Sequence, residues 1–227
     1  MSNPVCATVS GVATNGTGTG DGRRLTRRGL KTRERIVAAA AELIFDRGVA
    51  ETTLEDIRAA AGVSGSQVYH YFADKQALVR AVIDHQAAAV LHTQGAHLDR
   101  LDTVAGLRAW RDLLVEHQRT LQCRGGCPLG TLGAELAEID DAARMAVARG
   151  FSRWEARIRD GLQAMHARGD LPAHADPADL ALATLAAVQG GLLLAQVQRD
   201  PRPLAVALDA MIDRIQALAE HAAAARA

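Results

Sequence analysis

With 227 residues, 48 % of them hydrophobic, the chain is long enough to bury a full core, which excludes both a stapled mini-protein and a disordered composition. Its 26 Lys+Arg cancel its 26 Asp+Glu, but unevenly: residues 21–80 carry 11 cations against 8 anions, and residues 81–227 carry 15 against 18. A basic end on an acidic body keeps a nucleic-acid partner open despite overall neutrality.

Three cysteines cannot all pair, and Cys6 sits in a Gly/Thr-rich tail, so a reducing, cytoplasmic setting is expected rather than a secreted disulfide scaffold. The N-terminus lacks the basic-then-apolar order of a signal peptide. The apolar stretch Ala181 to Val197 is interrupted by Gln189 and Gln196 and falls short of the roughly 20 residues of a spanning helix. It reads as a buried helix.

Residues 1–22 show no periodicity and read as a flexible arm. Arg23, Arg24, Arg27, Arg28, Lys31, Arg33 and Arg35 then place seven cations within thirteen residues, a phosphate-binding arm if a DNA-reading element lies beside it. From Lys31 the period is helical. Ile36, Val37, Ala40, Leu43 and Ile44 form one buried face, and Gly48 ends the run. Thr52 and Thr53 offer N-cap hydroxyls, with Glu55 or Asp56 completing a capping box for a short helix to about Ala61. Gly62-Val63-Ser64 breaks it, and Ser64 with Gln67 caps a third helix to about Tyr71. Asp74 caps a long fourth helix whose apolar face holds Leu78, Val79, Val82, Ile83, Val90 and Leu91. Helices of roughly 102–122, 129–138, 141–168, 177–199 and 203–223 follow, so the fold class is all-α, with about nine helices.

Two short helices joined by a tight Gly-containing turn form the geometry that lays one helix in a major groove. If Val68 and Phe72 face inward, Ser64, Gly65, Ser66, Gln67, Tyr69 and His70 form the outward set. Gln67 can pair bidentately with adenine, and Ser66 can reach a base or a phosphate. Lys75 adds a cation at the next helix start, and Arg28, Lys31, Thr52 and Thr53 complete the expected DNA-facing residues.

The run Thr52-Thr53-Leu54-Glu55-Asp56-Ile57, followed by Ala60-Ala61-Gly62-Val63-Ser64-Gly65-Ser66-Gln67-Val68-Tyr69-His70-Tyr71-Phe72-Ala73-Asp74-Lys75-Gln76-Ala77-Leu78, resembles the DNA-binding domain of TetR-family repressors over about residues 31–80. Ser66 stands where many members have Gly. The resemblance implies a homodimer on a near-palindromic operator, with a C-terminal helical domain that holds a small-molecule inducer. On that reading residues 23–73 form the helix-turn-helix domain and 74–227 the effector-binding and dimerisation domain. Two recognition helices about 34–36 Å apart read successive grooves, which one short helix cannot do.

Leu182, Leu185, Val188, Leu192 and Val197 on one helix and Leu204, Leu208, Met211, Ile212, Ile215 and Leu218 on the next supply the apolar faces of the expected dimer interface, centred on Leu185, Val188, Leu192, Leu208, Ile212 and Ile215, with Gly190-Gly191 allowing close approach. An effector pocket is expected among Trp110, His117, Trp154 and Gln189, set in otherwise apolar helices that also carry Met145 and Met165. The Gly-Cys element around Cys123 and Cys127, followed by Ala134-Glu135-Leu136, is similar to a TetR branch containing cysteine-based electrophile sensors, although Pro128 replaces their usual Leu. Cys127 precedes a helix N-terminus and Arg124 is near in sequence, so a lowered thiol pKa is expected. Cys-x3-Cys supplies only two ligands, so no metal or cofactor is expected. The alternative class is a cysteine-dependent enzyme on a helical scaffold, for which no nucleophile elbow, phosphate loop or HExxH sequence is present.

Overall fold

The computed structural model describes residues 25–226, and among them it contains helices and no strand. The elements are α1 (Arg27–Glu51), α2 (Leu54–Ala61), α3 (Gly65–Tyr71), α4 (Lys75–Leu98), α5 (Val104–Thr120), α6 (Pro128–Leu136), α7 (Asp141–Ala167), α8 (Pro177–Gln198) and α9 (Arg202–Ala224). The expected arm 1–22, with Arg23 and Arg24, lies outside the described residues.

Local chemistry sets the boundaries. Thr26, Thr53, Ser64, Asp74, Thr103, Asp140 and Asp176 each cap a helix through a side-chain oxygen that accepts a backbone N–H. Thr53 with Asp56 and Ser64 with Gln67 form reciprocal capping boxes. Thr26 moves the start of the first helix upstream of Lys31, so the cations from Arg27 onward ride on a helix and not on an arm. Gly48 stops the regular helix as expected, at φ 84° and ψ 167°, but a last turn, Val49–Glu51, continues beyond it.

α1, α2 and α3 close over Ile36, Val37, Ala40, Ile57, Val63, Val68 and Phe72, all buried. Each of the Ile, Val and Phe side chains among them contributes about 1.5–3 kcal/mol when fully removed from water. α4 packs on α1 at its start and on α7 along its length, so a single helix joins the short-helix end to the remaining helices. α8 packs against α7 and α9, and α9 against α5. Arg111 bonds Asp209 at 2.6 Å and Arg108 bonds Asp213 at 2.9 Å, tying α5 to α9 at their polar rim. The Pro177–Gln198 helix is long and apolar enough by composition to cross a membrane. It is not the fully buried helix that its sequence suggests: one face is buried in the chain, while Leu182, Leu193, Leu194 and Val197 stay exposed.

Candidate functional site

The helix-turn-helix end presents its residues as a surface. Val68 is 2 % and Phe72 4 % exposed, and both anchor α3 from beneath. Ser64, Ser66, Gln67, Tyr69 and His70 are exposed, Tyr69 at 63 %, with Gly65 half-buried among them. Arg28 and Lys31 are exposed on the first turns of α1, and the Arg33 guanidinium lies 5.1 Å from the Phe72 ring centroid, bracing α1 on the end of α3.

Four residues of the expected set already hold bonds within the chain. Thr52 is wholly buried and its hydroxyl donates to the Gly48 carbonyl at 2.8 Å, so it closes the α1–α2 junction and cannot face DNA. The Lys75 ammonium donates to the Val49 carbonyl at 2.6 Å, which makes it a strut beneath the two short helices instead of a free phosphate contact. Gln67 is exposed, but its Oε1 accepts the Ser64 N–H at 2.8 Å, and bidentate pairing with adenine requires that oxygen to turn outward. Thr53 is exposed but bonded to Asp56 through its hydroxyl and backbone N–H.

Sequence reading missed what joins this end to the rest. The Glu135 carboxylate, at the far end of α6, accepts the N–H groups of Val49 at 2.7 Å and Ala50 at 3.1 Å. It caps the turn released by Gly48 and so fixes the approach to α2 from a distance of 86 residues. Nearby, the tip of the Phe45 ring of α1 abuts Gly125: a Cβ there would come within 2.0 Å of Phe45 Cζ. The signal for Glu135 was the Ala-Glu-Leu triplet, whose acidic member interrupts an otherwise apolar helix. Nothing local in the sequence marks Phe45.

The cysteine segment is a tight loop. Gln122, Cys123, Gly125 and Gly126 all have positive φ, and Arg199, itself left-handed at φ 55°, donates to the Cys123 carbonyl at 2.9 Å. Cys127 is the N-cap of α6, its sulfur accepting the Gly130 N–H at 3.4 Å. The lowered thiol pKa expected from that position does not occur. Burial pushes the Cys127 thiol up, and the N–H groups of Gly130 and Leu129 with the nearby Gln189 amide only partly offset it. The helix dipole loses because a thiolate on Cys127, a residue only 8 % exposed, forfeits its hydration. Cys123, 1 % exposed, is pushed up as well, first by burial and then by Asp200, with Arg199 opposing.

Among the expected effector residues, Trp110 is fully buried and its Nε1 donates to Gln94 Oε1 at 2.8 Å, a satisfied core pair with nothing left for a ligand. Met145 is exposed at 53 % and Met165 is buried at 2 %. His117 is half-buried, and its pKa is lowered by burial. Trp154 and Gln189 remain candidates: Trp154 Nε1 and Gln189 Nε2 are buried with no hydrogen-bond partner, and so are Gln86 Oε1 and Gln118 Oε1. A cleft between α1, α4 and α6, lined by Phe45, Gln86, Pro128, Thr131 and Glu135 among others, has about 10 Å³ of free volume, room for about one water.

The central residues of the expected dimer interface belong to the chain's own core, while Leu182 and Val197 of the same expectation are exposed. Val188, Leu208, Ile212 and Ile215 are fully buried and Leu185 and Leu192 are 5 % exposed, so none can meet a second copy. Period and apolarity locate a buried face, but not which neighbour buries it. Gly191 serves the α8–α9 contact, where a Cβ would approach the Leu204 backbone to 2.7 Å, while Gly190 faces open space. The opposite face of α8, with Leu182, Gly190, Leu193, Leu194 and Val197, is left uncovered, and Val206 of α9 is exposed as well.

Comparison with known proteins agrees with this geometry. Residues 36–82 match the family model for bacterial regulatory proteins of the tetR family, and residues 103–211 match the tetracyclin repressor-like C-terminal domain. An HTH-type transcriptional regulator of Mycobacterium tuberculosis is 33 % identical over 187 residues, covering 76 % of this chain and 88 % of its own. The HTH-type transcriptional repressor NemR of Escherichia coli is 28 % identical over 184 residues, covering 78 % and 90 %. A crystal structure of a TetR transcriptional regulator from Chloroflexus aurantiacus superposes with a TM-score of 0.72 at 29 % identity, over 84 % of this chain and 96 % of that one. The short-helix pair, the helical body behind it and these matches place the chain in the TetR family of DNA-binding transcriptional regulators, which are not enzymes.

Proposed function

We propose that the chain is a cytoplasmic repressor that holds a near-palindromic operator as a homodimer and releases it when a small molecule enters the helical body or when Cys127 is modified. In this reading residues 23–73 read DNA, and residues 74–227 dimerise and bind the effector. The observation that carries the DNA-reading role is the α3 surface, where Ser66, Gln67, Tyr69 and His70 stand exposed over buried Val68 and Phe72. A relative named as a repressor supports the direction of control. The uncovered face of α8 supports the dimer, since a contiguous apolar stripe on a regulator that needs two reading heads is best buried by a second copy.

Release requires an effector that binds one dimer geometry better than the other; equal affinity for both would release nothing. Cys127 meets an electrophile only after α6 opens, because its sulfur is buried and protonated.

Selection of binding sites from random duplexes with the full chain tests the proposal. The expected product is a palindrome whose half-sites lie one helical turn apart, with Gln67→Ala relaxing preference at one position per half-site. A chain with no preference for any duplex at low salt overturns it. N-ethylmaleimide should release operator from the wild-type chain but not from Cys127→Ser; equal release from both removes Cys127 as a trigger.

A further inference from the structure

Five buried polar atoms lack a hydrogen-bond partner among the described residues; Arg111 Nε belongs to a guanidinium that bonds Asp209 and Asp112, and the other four stand on four helices, Gln86 on α4, Gln118 on α5, Trp154 on α7 and Gln189 on α8, with Gln86 and Gln189 beside the first turn of α6. The Gln94–Trp110 hydrogen bond sets the register between α4 and α5, which run antiparallel through a short connection. Gln86 lies eight residues before Gln94 and Gln118 eight after Trp110, so they stand at one level about two turns farther from that connection. Gln86 also borders the cleft that contains Pro128 and Thr131 of α6. Gln189 reaches α6 from the other side, its Oε1 2.9 Å from where a Cβ on Gly130 would sit. Leu129 packs on Gly150 of α7, and Trp154 is one turn farther on the same helix face.

The one charge lining this cleft is the Glu135 carboxylate, already held by the Val49 and Ala50 amides. Among the described residues the buried polar side chains are Thr52, Gln86, Gln94, Gln118 and Thr184, none of them ionisable. The half-buried imidazoles of His85 and His117 are pushed toward their neutral forms by burial, and the Cys127 thiol is held protonated. An anionic or cationic ligand would lose its hydration here and meet no free counter-charge, since Glu135 is committed to the Val49 and Ala50 amides. An uncharged one with a carbonyl and an N–H or O–H would satisfy an indole N–H and carboxamides that otherwise go unpaired.

Resting on the ligand-released reading above, we infer that the space around the first turn of α6 takes an uncharged small molecule that both accepts and donates hydrogen bonds, the amide and alcohol class, and excludes carboxylates and ammonium ions. Such a ligand has to part α6 from its neighbours, because the interior is closed. The other end of α6 carries Glu135 on the Val49 and Ala50 amides, so displacement at Cys127 and Gly130 reaches the turn before α2 within nine residues of helix.

The test uses the full chain and a panel of small aliphatic and aromatic primary carboxamides, each paired with the carboxylate and the ammonium compound of the same skeleton. Binding is read from tryptophan fluorescence, since Trp110 and Trp154 are the only two tryptophans, and from thermal shift. At least one carboxamide should bind, tenfold or more tighter than its charged partners, and Gln189→Leu and Gln118→Leu should each weaken it tenfold or more. In the absence of ligand, Gln86→Leu and Gln118→Leu should raise Tm by about 2–4 °C, as expected when an orphaned amide is replaced by an apolar side chain of similar size. The inference is overturned if a charged partner binds as tightly as its amide, if no carboxamide binds, or if both Leu variants lower Tm, which would mean that the amides are already satisfied. Operator binding measured on the same samples separates this from the parent reading: its absence would sink the regulator, while the ligand panel judges the site.

Discussion

At the scale of single residues, exposure and existing bonds decide which polar side chain is free to act. Arg28 is exposed and Lys75 is held by the Val49 carbonyl, so two cations near the same surface should behave differently. Arg28→Ala should lower the slope of log affinity against log salt by about 0.9, the share of one phosphate contact, with stability unchanged. Lys75→Met should leave the slope in place and cost about 1 kcal/mol of folding stability, the usual size of one lost hydrogen bond. Fluorescence anisotropy over a salt series and urea denaturation check both. The thiols give a pH dependence. Cys123 and Cys127 have folded-state pKa values raised above their unfolded ones, so their contribution is complete below the ordinary thiol pKa and is lost as pH rises through the folded value. Stability of the wild-type chain should therefore fall more steeply on the alkaline side than that of a Cys123→Ala, Cys127→Ala double variant, and native thiols should react slowly with iodoacetamide at neutral pH. Parallel alkaline limbs would contradict this.

At the scale of elements, caps in the sequence located the starts of α2, α3 and α4, because a cap is a contact between neighbours in the chain. Thr53 with Asp56 and Ser64 with Gln67 are separated by three residues and needed no tertiary information. The couplings between elements did. Phe45 on Gly125 and Glu135 on Val49 join segments about 80 residues or more apart, and only the fold brings them together. Gly125→Ala faces two penalties, a φ of 84° that side chains rarely adopt and the Phe45 ring in the space a Cβ needs. It should cost roughly 2–4 kcal/mol, combining left-handed strain with overpacking. Hydrogen exchange should show faster opening of α6 and of the turn at Val49 and Ala50. A variant as stable as wild type would mean that this contact is not tight in solution.

At the scale of the whole molecule, the two faces of α8 have opposite fates. Leu193→Asp with Val197→Asp should yield a folded monomer with unchanged helix content and at least tenfold weaker operator affinity, measured by sedimentation and anisotropy. Leu208→Ala, deep in the α8–α9 contact, should instead lose about 2–5 kcal/mol of stability. If the Asp pair leaves a dimer intact, another surface joins the copies.

Helical class, breaks and the α2–α3 pair were written in the sequence because they rest on period, caps and turn glycines, each a matter of a few consecutive residues. Val68 and Phe72 were legible as anchors for the same reason. The buried amides Gln86, Gln94 and Gln118 went unread: they interrupt apolar faces at helical spacing, but spacing does not say whether a partner waits opposite, and of the three only Gln94 has one. Which side of α8 is spent inside the chain, whether Lys75 is free, and whether a helix start or burial governs the Cys127 thiol were decided by the tertiary structure alone. Each depends on what residues distant in sequence leave exposed, and accessible surface is a property of the packed molecule, not of a segment.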